Sequence, residues 1–486
     1  MELPFGIGAY TGRSTTINAL ELRNLMVEVD NSGGDKLSLF RRPGTKEWLD
    51  IGNGAHLRGQ IVAGDYLYAV SGNYVYKIDK SKSKTQLGTI STSVGRVNII
   101  SNGVQLLITD NTKGYTIRLS DDDFSRIRSS SFVGVTKTVF QDGYGIAIKP
   151  DSGKFQISAL YDFGTWNSLD YATAEGYPDD LVSVLSAHSD LWLFGADSTE
   201  IDYNLNAQDF PFTRKFIVEE GCAAQESPVK LDNTVFWLTS NRQVARATGY
   251  TPSIISTRNL EHKWSKYDFV DDAVGIGFTY EGHPLYILTF PSVGASWVYD
   301  VSTQQWYIWD SFQDSSIDRW RFRADNYAYF HNKHLVGDYA NGKIYELKDD
   351  CYTDDGWLIP AVFTSVYADA DRERVPHIRL EVCLEQGVGY VDYLVDVYGR
   401  QTLDGDNEPT KITSGSWSNP QIMMQYSDND GRSWSNEKWA DIASVAKRGI
   451  DRTMFRRLGS SRKRIYRFMF SDATKFVVEK VMLNGS

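Results

Sequence analysis

Seven pairs of short apolar runs, each pair joined by a tight turn, recur along the first two thirds of this 486-residue chain. They begin at Leu67 (LYAVSGNYVYKI), Leu106 (LLITDNTKGYTIRL), Gly145 (GIAIKPDSGKFQISAL), Leu191 (LWLFGADSTEIDY), Thr234 (TVFWLTSNRQVARA), Leu285 (LYILTFPSVGASWVYD) and His334 (HLVGDYANGKIYEL). Successive starts lie 39 to 51 residues apart. A strand-rich repeat of about 40–50 residues is the sequence form of a β-propeller blade. One blade cannot cover its own apolar faces, so blades bury one another around an axis. The spacing predicts about six to seven blades over residues 61–352, preceded by a lead-in at 1–60 that packs on or closes the propeller.

After about residue 350 the repeat stops at an acidic stretch (Asp349, Asp350, Asp354, Asp355). Short strands are expected over 358–367, 377–385, 389–398, 421–427, 454–458, 464–470 and 476–483, with a polar loop over 400–420. Seven such strands predict a C-terminal β-sandwich spanning 353–486. The segment Phe210-Pro211-Phe212 reads as a loop crossing between blades four and five. Aromatic residues make up 13% of the chain and Gly (40) far outnumbers Pro (13), which suits strands and turns. No long amphipathic helical period is present, so the class is all-β.

Three distant cysteines (Cys222, Cys351, Cys383) provide neither a disulfide framework nor zinc spacing and are expected to be buried apolar residues. The N-terminus lacks the basic start and apolar core of a signal peptide, and no apolar run is long enough to span a membrane. Net charge is −11, yet residues 447–467 hold nine basic residues against one acid. An acidic body with one basic segment argues against a general nucleic-acid binder.

Motifs with chemical potential mostly resolve into turns. Residues 337–343 have P-loop spacing, but Ile344 stands where a Mg²⁺-binding hydroxyl is required, and Asn341-Gly342 is a hairpin signal. Ser427, Asp430, Gly431 and Trp434 form an Asp-box-like turn, with Asn429 where that motif has Asp; its role is structural. The clusters Asp121/Asp122/Asp123, Asp369/Asp371/Glu373 and Asp404/Asp406/Glu408 lack an EF-hand pattern and read as solvated turns. The seven histidines include no H-E-x-x-H pair, and no G-x-S-x-G elbow occurs. No catalytic, metal or cofactor-binding residue is assigned.

The strongest contact candidates are Arg448, Arg452, Arg456, Arg457, Arg462, Lys463, Arg464 and Arg467. Two readings stand side by side. Alternate arginines could line the solvent face of strands whose inner face carries Tyr466, Phe468 and Phe470. Otherwise they contact an acidic neighbour or DNA phosphates.

The order Tyr426-Ser427, Asp430-Gly431, Trp434, then Met454-Phe455-Arg456-Arg457-Leu458-Gly459, Arg462, Arg464 and a strand ending at Leu483 resembles the end of a known family. It is that of the packaged-DNA stabilisation or tail hub proteins of short-tailed bacteriophages. Residues 24–28 (NLMVE) with Arg42-Pro43-Gly44 resemble its opening, and 334–338 (HLVGD) with Gly342 and Ile344-Tyr345 its last repeat. The resemblance implies a non-enzymatic virion tail protein made in the host bacterial cytoplasm. It also implies a ring of six copies that closes the portal channel and retains packaged DNA. Implied partners are a head–tail adaptor, a needle, fibre or tailspike, and the double-stranded DNA that passes on ejection, with no membrane insertion and no cofactor. Two other readings remain: a carbohydrate-binding or glycan-degrading, sialidase-like propeller, and an interaction scaffold unrelated to phage.

Overall fold

The second strand of every blade is apolar on both faces, and this decides how the molecule closes. In a computed structural model, which describes residues 2–5, 20–30, 36–132, 135, 137–174, 176, 179–207, 209–312, 319–369, 373–386, 394–395, 401–402, 420–442 and 451–484, seven four-stranded antiparallel blades surround one axis. In blade one, Leu67 and Ala69 face a core shared with blade seven, whereas Tyr68 and Val70 face one shared with blade two. The same alternation recurs around the disc, giving one apolar cluster between each pair of neighbours. Side chains of period two thus make each central strand a wall between two cores.

The inner strands are Leu57–Ala63, Asn98–Ser101, Thr138–Gln141, Leu181–Ala187, Val229–Leu231, Val274–Tyr280 and Ala324–Phe330. Each adjoins the next, and the last adjoins the first, so the ring is closed. The turn after the inner strand spans two residues in most blades, with positive φ at Asp142-Gly143, His188-Ser189, Asp232-Asn233, Glu281-Gly282 and His331-Asn332. Type I′ turns need that geometry and match the twist of the strands they join.

Closure depends on the N-terminal region. The strand Gly44–Asp50 pairs antiparallel with Lys343–Lys348 and becomes the outer strand of blade seven. Gly44 is obligatory at this crossing, since a Cβ there would lie 2.3 Å from the Cys351 carbonyl oxygen. The lead-in expected at 1–60 is therefore divided. Only 44–50 closes the propeller, 57–63 already belongs to blade one, and the strands before residue 42 belong to the sandwich.

One sandwich sheet runs Leu25–Asp30, Lys36–Arg41, Phe476–Leu483, Arg379–Gln386, Asp451–Arg456. The other contains Leu22–Arg23, Ala361–Thr364, Lys463–Phe470, Gln421–Ser427 and Lys438–Asp441. Through Arg23, which lies parallel to Ile308, this second sheet is continuous with blade six. One apolar core crosses the seam, joining Tyr307, Trp309 and Tyr345 of blades six and seven to Leu25, Phe363, Phe468 and Val478.

The segment expected to cross between blades four and five stays within blade four. Phe212 starts the outer strand of that blade (Phe212–Val218), so Phe210-Pro211 turns within it; Phe212 packs on Tyr144 of blade three. The strand expected over 389–398 and the loop over 400–420 lie almost entirely outside the described residues. A short helix with no long amphipathic period behind it, Arg258–Trp264, is capped by Thr257 and drives Trp264 into the core between blades five and six.

Candidate interaction surfaces and the propeller axis

Charged residues just before or at the start of four inner strands meet across one mouth of the propeller axis. Arg96 of blade two donates to Asp325 of blade seven (2.6 Å) and lies 3.7 Å from Glu226 of blade five. Lys137 of blade three reaches the same Glu226 carboxylate at 2.5 Å, and Arg321 holds the other oxygen of Asp325 at 3.0 Å. Burial alone would raise both carboxyls. Lys137 and Arg96 outweigh it at Glu226, and Arg96 and Arg321 at Asp325, so both are held below the usual carboxylate range. The Glu226 backbone is fixed too, since Gly275 N–H donates to its carbonyl (2.9 Å). Paired charge thus links blades two, three, five and seven at this mouth.

The Asp-box-like turn and three residues of the basic run form one unit. Ser427 Oγ accepts from Gly431 N–H (2.9 Å), and Asn429 Oδ1 accepts from Ser433 N–H (3.0 Å). Asp428 takes both arms of Arg464, at 2.6 and 2.7 Å, and Arg464 stacks 3.9 Å over Tyr426. Lys463 binds Asp430 (2.7 Å), and Arg467 lies 4.2 Å over the Trp434 ring. Arg464 is buried and points inward with Tyr466, Phe468 and Phe470. It consequently leaves the set of outward contact candidates. The signal was available in the sequence, because 464, 466, 468 and 470 share one parity along a strand.

Four of the remaining candidates face solvent. Arg452, Arg456, Arg457 and Arg462 are exposed. Arg452 and Arg456 project from the strand that ends the first sheet among the described residues, with exposed Met454 between them and Ile378 close by on the chain leading into the next strand. Arg379 and Arg452 share one carboxylate, Glu381, at 2.6 and 3.6 Å. Arg448 lies outside the described residues, as do Asp371, Asp404, Asp406 and Glu408. Among Asp121, Asp122 and Asp123, the first and last pair with Arg118 and the middle one with Lys77. Among the described residues, no group of His, Cys, Asp or Glu side chains converges as a metal site. All three cysteines are free and buried.

A closed seven-bladed propeller fused through a shared sheet to a sandwich defines a two-part all-β protein. Family comparison makes this specific: the chain belongs to the bacteriophage P22 Gp10 family, whose beta-propeller model matches residues 1–352 and whose beta-sandwich model matches 408–485. It is thus a structural tail protein of the phage virion. No curated protein matches the chain. Among solved structures, it is similar to the N-terminal domain of Nup159 (13% identity, TM-score 0.41). It is also similar to a chain of an S. cerevisiae complex in which a dbp5 variant is bound to nup159, a gle1 variant, IP6 and ADP (12% identity, TM-score 0.39). Each likeness covers 68% of this chain and 100% of the other.

Proposed function

We propose that this protein is the ring subunit of a tail hub or nozzle that closes the portal channel, retains packaged DNA and joins the head–tail adaptor to distal tail parts. The observation that carries this reading is the fusion of the two domains. A sheet that continues from blade six into the sandwich, over one uninterrupted core, transmits load without a hinge. The propeller has no loose start, because its N-terminal strand is locked into its last blade. Its own axis is crossed by ion pairs, so the DNA path is the axis of the ring of subunits and not that of the blades. A net charge of −11 disfavours adhesion to DNA that must pass on ejection. The chemistry is docking and sealing, without turnover.

The test is particle assembly with and without the protein. Particles lacking it should package DNA and then lose it, and cryo-EM of complete particles should show a closed ring on the tail axis. Normal DNA retention without the protein, or placement as an isolated knob off the axis, overturns the proposal. Release of sugar from host polysaccharide by the purified protein would favour the glycan-degrading reading in its place.

A further inference from the structure

Blade six, the helix that precedes it and the sandwich strand Leu22–Arg23 surround a small cavity rich in hydrogen-bond donors. Its volume is about 100 Å³, room for about three waters. Three elements bring cations to it: Arg23 from the sandwich strand, Lys263 from the helix Arg258–Trp264, and Arg319 from the strand Arg319–Arg321, which pairs with Gln305–Phe312 of blade six. All three are half-buried, so the site is reachable from solvent while its charges are partly stripped of water.

The anions nearby are already committed to one of these cations. Arg23 binds Glu21 through Nε (2.8 Å) and Asp310 through Nη1, and the second oxygen of Asp310 accepts from Asn24 (2.6 Å). Among the described residues, Lys263 meets only the ring of Trp297, at 4.6 Å, and Arg319 only the Met469 sulfur, at 3.6 Å. Burial and the neighbouring charge of Arg23 hold both below their usual ranges, although Glu21, and for Arg319 also Asp310, pull the other way. A further donor is stranded beside them. Trp309 is fully buried and lines the cavity, and its indole N–H has no acceptor among the described residues. Buried donors are nearly always paired, so an open one next to two uncompensated cations marks the place of an acceptor.

We propose that this cavity binds a free tetrahedral oxyanion of the phosphate class, held by Lys263, Arg319 and the remaining arm of Arg23. Guanidinium forks match the oxygens of such an ion and not a spherical halide, and the two cations left over suit its charge. Because its cations come from three separate elements, the bound ion ties the propeller to the sandwich. The site stands apart from the ring reading, and neither depends on the other.

The test uses the full-length protein, melted and titrated by calorimetry in sodium phosphate against sodium chloride at matched ionic strength. Beside it runs a variant carrying Lys263→Met with Arg319→Gln. Phosphate should raise the wild-type melting temperature saturably, with a dissociation constant below about 1 mM. In the variant the affinity should fall at least about tenfold, because two charge-assisted donors are gone. In chloride the variant should melt no lower than the wild type, since it has lost two unpaired, partly desolvated charges. Should the double substitution unfold the protein, Lys263→Gln alone gives the same reading. Unchanged affinity in the variant overturns the site, as does the absence of any shift in the wild type. A shift that never saturates and persists in the variant means an adventitious ion only, and overturns it too. Acetate binding as tightly as phosphate overturns the tetrahedral assignment. Displacement of phosphate by a 5′-phosphorylated DNA duplex overturns the free ion and makes nucleic acid the source of the phosphate.

Discussion

Arg42 and Asp354 meet as a buried two-armed ion pair where the N-terminal chain leaves the sandwich for the propeller. Every nitrogen of the Arg42 guanidinium is committed. Arg42 also donates to the Asp310 and Pro43 carbonyls (2.8 and 2.9 Å) and to Asn24 (2.9 Å), and it sits 4.8 Å over the Phe322 ring. Asp354 accepts from Ser311 (2.6 Å) and Thr45 (3.1 Å) as well. Asn24, held in turn by Asp310, links this pair to blade six.

Removing one member of such a pair leaves an uncompensated buried charge, which costs about 3–5 kcal/mol. Arg42→Met should therefore lower stability by that amount in chemical denaturation. Because the closing strand begins two residues later, protease should also cut sooner within 44–50. A loss under about 1 kcal/mol, far below the usual cost of breaking a buried pair, would show that the seam is held by its apolar core alone.

Much of the architecture was legible because it is local. All seven repeat units are the second and third strands of blades one to seven, and 421–427 and 476–483 match their strands end to end. What escaped the reading is long-range. Gly44–Asp50 pairs with Lys343–Lys348, and Leu25–Arg41 joins strands near residue 480, and neither pairing leaves a periodic trace in sequence. The islands of family resemblance make sense in this light: Asn24, Arg42-Pro43-Gly44 and Asp338 are the polar and glycine positions at or near that seam, with Asp338 buried against Arg323 at 2.7 Å. The axis residues Arg96, Lys137, Glu226 and Asp325 were missed because each stands alone in its segment. Only the position they share, at the entry to an inner strand, marks them.

Glu226 links two blades with one carboxylate, so its charge matters more than its volume. Glu226→Gln keeps the shape and leaves Lys137 and Arg96 facing each other without an anion. Stability should fall by about 1–3 kcal/mol, the cost of stranding hydrogen-bonded charge. Thermal melts should show the loss, and added salt should narrow the gap by screening the two cations. An unchanged melting temperature would show that the apolar clusters between blades hold the disc unaided.

His377 gives a pH signature to the sandwich. Its buried ring lies 2.7 Å from Ser461 Oγ through Nε2 and 2.7 Å from the Tyr466 hydroxyl through Nδ1. Burial, then the nearby charge of Arg464, pushes its pKa down to about 4. Unfolded, the ring titrates near 6.5, so between these values the unfolded state binds a proton that the native state refuses. The contribution is full above about pH 6.5 and is lost as pH falls toward 4, amounting to about 2 kcal/mol between pH 7 and 5. Denaturation across that range should show the decline, and His377→Gln should flatten it. An equal slope in both proteins would mean that other groups govern the acid limb.

Arg464 and Arg456 are eight residues apart in one basic run, yet the structure gives them opposite parts. Arg464 is buried, clamps Asp428 with two hydrogen bonds and packs on Tyr426, whereas Arg456 is exposed on the strand that ends the first sheet among the described residues. Arg464→Ala should therefore cost about 1–3 kcal/mol, because it strips a buried side chain of its packing and of its bond to the Leu458 carbonyl, while the Asp428 left behind is half exposed to water. Arg456→Ala should stay within about 0.5 kcal/mol, as surface substitutions do. The converse should hold for association, where Arg456 matters and Arg464 acts only by keeping the sandwich folded. Urea titration paired with sedimentation separates the two effects. If Arg464→Ala left stability unchanged while abolishing assembly, the turn at 427–434 would be a docking element, and the division between inward and outward arginines would fail.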